Sequence, residues 1–245
     1  MKQHRFQLKD LPEAAEGAAL IALAVIASPL LKRWYRGWGA TTAEKGATLP
    51  GDELVPYPRM ASTRAVAIAA DAARVWPFLL QLGMNRGGWY SYELLEAAVG
   101  IGGFVEGRTS ERVVPELQTL SVGDEVWMHR MVMPLTVRAM EREKALVFLT
   151  RTDLADKRYF ELGERMPKAY VNSSWAFYLK PAHPGMRLLV RSRMDYSPSF
   201  FNDVAWRVFA DPISFVMERK MLLNIRRIVE GRGVEGGRAE RAPDA

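Results

Sequence analysis

Apolar and polar positions divide this chain into a uniformly apolar start, a patternless stretch, a region of short alternating segments and a long helical end. Residues 17–31, GAALIALAVIASPLL, are uncharged and apolar right round a helical wheel. A helix there has no polar face for water and must be covered by lipid or by protein. Residues 37–61 are rich in Gly, Thr and Pro, follow neither a helical nor a strand period, and read as a linker. The pattern resumes at residues 63–69, where Val66 and Ile68 share one face of an alternating strand. Asp71 then caps a helix that places Val75, Phe78, Leu79 and Leu82 on one side and stops at Gly83. In Arg86-Gly87-Gly88-Trp89-Tyr90, two glycines allow a sharp bend beside two large rings.

Further along, residues 91–99 predict a short helix that buries Leu94, Leu95 and Ala98. Residues 100–107 read as a loop, 112–120 with Pro115 as one helical turn or an extended crossing, and 153–167 as a polar loop or short helix. Strands are expected over 126–131, 135–140, 146–150, 173–180 and 187–194, with a turn at 182–185 joining the last two. Trp175, Phe177 and Leu179 alternate onto one strand face, while Arg191 and Arg193 suit an outer, wet one. Helices are expected over 201–210 and 213–229, with Val216, Met217, Met221, Ile225 and Ile228 at steps of three and four, and Pro212 kinking or restarting the run. Residues 232–245 have no apolar pattern and read as a disordered tail. The order lacks β-α-β alternation, which defines an α+β class with one antiparallel sheet. Only the terminal helix is long enough to cover that sheet.

A length of 245 residues with 49% hydrophobic content supports one domain over 62–231 plus an apolar helix within 1–36. The net charge of +6 is spread among acids and comes with no nucleic-acid-binding motif, so no nucleic-acid partner is expected. The absence of cysteine excludes disulfides, thiolate nucleophiles and Cys-ligated metals. Residues 17–31 as a helix reach about 22 Å, short of a hydrocarbon core of about 30 Å, whereas residues 11–35 reach about 37 Å. A single-pass membrane anchor is therefore feasible, and Lys32, Arg33, Arg36 and Lys45 outweigh Lys2, Arg5 and Lys9 in favour of a cytoplasmic domain.

The segments WGATTAEKGATLPGDELVPYP, VWPFLLQLGMNRGGWYSYELLE, ERVVPELQTLSVGD, SSWAFYLKP, MRLLVRSR and VMERKMLLNIRR resemble the START-like or SRPBCC superfamily, which includes polyketide cyclase/dehydrase and lipid-transport proteins. The resemblance spans residues 37–231 and points to a bacterial subgroup that often carries an N-terminal hydrophobic segment. It implies a helix-grip fold, a curved antiparallel sheet around the long C-terminal helix with a hydrophobic cavity between them. It implies binding of an apolar small molecule or lipid, with a cyclase or dehydratase acting on an aromatic or polyketide-type substrate as the alternative. A third possibility is a groove that takes a partner protein's helix.

On that reading the cavity-lining residues are Trp89, Tyr90, Trp127, Trp175, Phe177, Phe215 and Met221, with Tyr90 or Arg86 as the polar handle. No nucleophile elbow, phosphate loop or HExxH motif is present, and no cofactor is expected. His4, His129 and His183 stand in unrelated contexts, which argues against the iron centre of the oxygenase relatives. The titratable candidates for proton transfer are Glu93, Glu96, His129 and Asp195.

Overall fold

In the computed structural model, residues 2–3, 8–98, 101, 103–104, 106–128 and 134–239 are described. Strand β1 (Lys2–Gln3) and helix α1 (Leu11–Arg36) come first, followed by the short helix α2 (Thr42–Gly46) and strand β2 (Met60–Ile68). Helices α3 (Ala72–Leu80) and α4 (Glu93–Ala98) precede β3 (Gly103–Phe104), which pairs with β1 in a small separate ribbon. Strands β4 (Glu125–Val126), β5 (Leu135–Glu141), β6 (Ala145–Asp153), β7 (Arg158–Tyr159), β8 (Tyr170–Pro181) and β9 (Met186–Tyr196) follow. The chain ends in α5 (Phe200–Val204), a π-helical turn at Ala205–Ala210 and α6 (Asp211–Ala239).

Strands β2, β9, β8, β6, β5 and β4 hydrogen-bond in that order, with β7 added to β6, in one seven-stranded antiparallel sheet. The sheet curves round α6, and this is the helix-grip arrangement. Register fixes its inner face, because Phe177 of β8 lies opposite Val190 of β9 and Leu146 of β6, and Val190 lies opposite Arg64 of β2. These rows meet Met221, Leu222, Ile225, Ile228 and Val229 of α6 in one core. At roughly 25 cal/mol per Å² of apolar surface removed from water, this layer supplies the main driving force.

Helix α3 starts where its sequence requires, because the Asp71 carboxylate accepts from the Arg74 amide at 3.0 Å. Arg74 also donates to the Val229 carbonyl at 2.7 Å, which ties α3 to α6. Pro212 does not interrupt the C-terminal helix. Its missing N–H removes one helical bond, and the turn immediately before it widens to π geometry. The backbone stays helical to Ala239, through part of the stretch expected as a tail, and residues 240–245 lie outside the described ones.

Residues 37–61 are folded against the outer face of the sheet instead of running free. Leu49, Leu54 and Val55 are buried there on Ala65, Val147, Ala176 and Leu189. Arg187, Arg191 and Arg193 of β9 hold the segment through Glu44 at 2.8 Å, Asp52 at 2.7 Å and the Val55 carbonyl at 2.9 Å. Arg191 and Arg193 therefore do sit on the outer face, but that face is covered. Gly51 allows the close approach, since its φ is +93° and a Cβ would lie 2.7 Å from Val147.

Helix α1 lies along α6 and α4. Its contact stripe is Ala14, Gly17, Ile21, Ala24, Ser28 and Tyr35, at steps of three, four and seven. A Cβ on Gly17 would stand 2.8 Å from both Tyr92 and Leu95. Ion pairs hold each end, Arg36 to Asp211 at 2.7 Å and Glu13 to Lys220 at 2.7 Å. The opposite face stays uncovered, with Ile26 79% and Leu30 88% exposed.

Candidate functional site

The inner face of the sheet carries an aromatic shelf. Alternation along β8 sends Trp175 and Phe177 to this side, and their rings stand 4.6 Å apart. Phe148 of β6 closes on both, at 6.3 Å from Trp175 and 6.2 Å from Phe177. Trp89 comes down from the turn after α3, with its ring 5.7 Å from Trp175. That turn is pinched by paired bonds between Gly83 and Gly88 at 3.2 and 3.3 Å, and Gly88 takes a φ of +94° that few other residues adopt. Met221 contributes the α6 side of the same core.

Among the described residues these rings lie against one another. A separate open cleft of about 550 Å³ lies between residues 106–112 and the end of α6. Its walls are ionic, with Arg227 on Glu111 at 2.6 Å and Arg112 paired to Glu106. It is not an apolar pocket.

The structure separates the remaining site candidates by environment. Tyr90 is fully buried, takes a φ of +58°, accepts from Gln81 Nε2 at 2.6 Å on its hydroxyl, and accepts from Asn224 at 2.9 Å on its carbonyl. Its hydroxyl is therefore engaged as an acceptor by Gln81. Arg86 donates to the Leu80 carbonyl at 2.8 Å and the Leu117 carbonyl at 3.1 Å, satisfying an orphan acceptor at the end of α3. Burial lowers its pKa, with Asp124 opposing, and its role here is a staple. Trp127 is 39% exposed beside residues 129–133, which lie outside the described ones.

Phe215 belongs elsewhere. It stacks on Tyr35 of α1 at 5.4 Å, with Trp34 and Trp38 on its edges, and fills the seam between α1 and α6. A helical period places a residue on a face without saying which partner that face meets.

Two groups escaped the sequence reading. Glu218 of α6 accepts from the Trp175 indole at 3.1 Å and pairs with Arg64 at 3.0 Å. The Trp89 indole nitrogen is buried with no hydrogen-bond partner among the described residues. The signal for Glu218 was its position among the apolar steps of α6, three before Met221. Nothing in the sequence marks the Trp89 donor.

Of the titratable candidates, Glu93 accepts from the Thr109 amide at 2.8 Å, and Asp195 accepts from Tyr170 at 2.8 Å beside Arg59 at 3.1 Å. His129 lies outside the described residues. Glu96 is completely buried, and among the described residues neither carboxyl oxygen has a partner in bonding geometry. Burial, then the neighbouring Glu93 carboxylate, pushes its pKa up to about 8, against a smaller pull from Ser91. Among the described residues no group of three or more acidic or imidazole side chains could hold a metal ion.

No family model matches the chain, and no curated protein matches it. Among solved structures it is similar to a Nitrosomonas europaea protein at 10% identity, covering 71% of this chain and 96% of that one with a TM-score of 0.40. It is also similar to a polyketide cyclase-like protein of Corynebacterium glutamicum at 13% identity, covering 75% and 97% with a TM-score of 0.36. A Mesorhizobium loti protein is similar at 12% identity, covering 70% and 98% with a TM-score of 0.36.

Proposed function

We propose that this chain is a membrane-associated helix-grip domain that binds an apolar small molecule or lipid, for carriage or sensing, without transforming it. The observation that carries the reading is the buried Trp89 indole N–H, without a partner among the described residues, on a shelf of four aromatic rings. A buried donor left unpaired costs about 1–3 kcal/mol. A ligand with hydrocarbon for the rings and one oxygen for the indole would remove that penalty. Seating it requires the Trp89 turn to part from Trp175, with Trp89 as the polar handle in place of Tyr90 or Arg86. Membrane association is supported by α1, which is long and apolar enough to cross a bilayer and keeps most of its surface outside the fold.

The test is native mass spectrometry and lipid extraction of the full-length protein isolated in mild detergent. One bound apolar species is expected, with occupancy reduced in Trp89→Phe. A wild-type protein that is empty and takes up no apolar ligand overturns the reading.

A second reading, the cyclase or dehydratase, draws on Glu96 alone. A carboxyl that keeps its proton near neutral pH can act as a general acid. Turnover of a poly-β-ketone substrate by the wild type, lost in Glu96→Gln with binding kept, would select this reading.

A further inference from the structure

Helix α1 has an uncharged apolar middle, which by composition suits a transmembrane span, yet one face of it is docked on the folded domain, on Tyr92, Leu95, Phe215 and Val216. Its last turn pairs with Asp211 and its first turn with Lys220, so both ends of it are tied to α6. Asp211, Arg219 and Lys220 lie at that contact. Were the docked α1 to span, these charges would enter hydrocarbon at a cost of a few kcal/mol or more each. Docked, the helix cannot cross the bilayer, but its outer face of Leu23, Ile26 and Leu30 still needs a cover.

A second apolar surface adjoins it. Trp34 of α1 lies 5.6 Å from Phe215, and α1 also touches the π-helical turn. That turn exposes Val208 and Phe209, and the helix leading into it exposes Phe200 and Phe201, 76% and 81% open to solvent. Soluble surfaces seldom expose four such side chains within ten residues. Lys32 and Arg33 beside Trp34 supply cations at the same border, while Arg207 is paired with Asp203 at 3.0 Å; cations beside an interfacial aromatic are the pattern of an interfacial helix on anionic lipid. The apolar outer face of α1, the aromatics and these cations all fit one occupant, a phospholipid bilayer.

We infer that α1 lies in the plane of the membrane, and that Phe200, Phe201 and Phe209 insert beside it as a second wedge. The inference rests on the membrane part of the proposed function and replaces a crossing anchor with a one-sided one. It places the mouth of the aromatic shelf on a domain fixed in orientation to the lipid from which its ligand would come.

The test uses the full chain, whose lack of cysteine gives a clean background for single-cysteine labelling. Glu16→Cys, in the second turn of α1, and Ala43→Cys, in α2 just beyond its other end, are expected to react with an impermeant maleimide from the same side of a sealed vesicle. Reaction from opposite sides overturns the inference. In parallel, Phe200→Ser with Phe201→Ser is expected to lower partition into phosphatidylcholine–phosphatidylglycerol vesicles by about tenfold or more. Far-ultraviolet circular dichroism of the variant should be unchanged. Unaltered partition overturns the wedge, as does loss of self-association in place of vesicle binding. If the wild type ignores vesicles altogether, the membrane part of the proposed function fails with it. Binding without same-side labelling fails the inference alone.

Discussion

The Arg64 guanidinium and the Glu218 carboxylate meet at 3.0 Å with only 1% and 5% of their side chains exposed. The second Glu218 oxygen takes the Trp175 indole, and Arg64 Nε donates to the Tyr35 carbonyl at 3.0 Å. One buried pair thus joins α6, two strands of the sheet and the end of α1.

Removing one partner should be worse than removing both. Glu218→Ala leaves Arg64 charged and unpaired in the core, and an expected loss of about 3–5 kcal/mol follows. Arg64→Met combined with Glu218→Leu replaces the pair with apolar volume and should cost much less. Urea unfolding of the three proteins, followed by tryptophan fluorescence, measures the difference.

Trp175 and Trp89 should respond differently to the same change. Trp175→Phe strips an N–H from a buried carboxylate and is expected to cost about 1–3 kcal/mol beyond the lost volume. Trp89→Phe removes a donor that has no partner among the described residues, so relief of its burial penalty should offset part of the lost volume. If the proposed function holds, Trp89→Phe is also the variant that loses ligand. Comparing thermal midpoints with ligand occupancy separates the structural indole from the binding one.

Glu96 sets a pH dependence whose sign can be worked out. Its pKa is about 8 in the fold against an ordinary value of 4.5. Below that ordinary value both states hold the proton, and the group is neutral in its effect. Between there and about 8 the unfolded chain releases its proton while the native state keeps it. Stability therefore falls as pH rises, by up to about 1.4 kcal/mol per pH unit. Glu96→Gln should flatten this slope and raise stability at pH 8. Urea midpoints at pH 5 and pH 8 would show equal shifts in the two proteins if Glu96 were solvated.

Gly17 tests whether the α1 stripe is a packed seam. A leucine there must push into Tyr92 and Leu95, and overpacking of this kind costs about 1–3 kcal/mol or detaches the helix. Hydrogen exchange across residues 11–36 and 92–98 should rise in Gly17→Leu. Ala18→Leu, on the exposed side, should leave it unchanged.

Much of this architecture is visible in periodicity. Trp175, Phe177 and Leu179 read as one face because strand side chains alternate, and β8 places Trp175 and Phe177 together on the shelf. The capped start of α3, the long final helix and the turn between β8 and β9 are equally local, since caps, turn residues and apolar spacing act within a few residues. Residues 37–61 were not legible in this way. Leu49, Leu54 and Val55 are too sparse for a period, and they become a cover only when three arginines of β9 arrive from more than 130 residues away.

The candidate site divides along the same line. Residue type and alternation identify Trp89, Trp175 and Phe177 as large rings on inward faces, because burial of apolar surface follows the local repeat. Pairing partners follow no repeat. Only the folded chain sends Phe215 to Tyr35, engages the Tyr90 hydroxyl with Gln81, and leaves the Trp89 indole without an acceptor. Hydrogen bonds and ion pairs act over about 3 Å between residues distant in the chain, so tertiary contact decides them and sequence spacing does not.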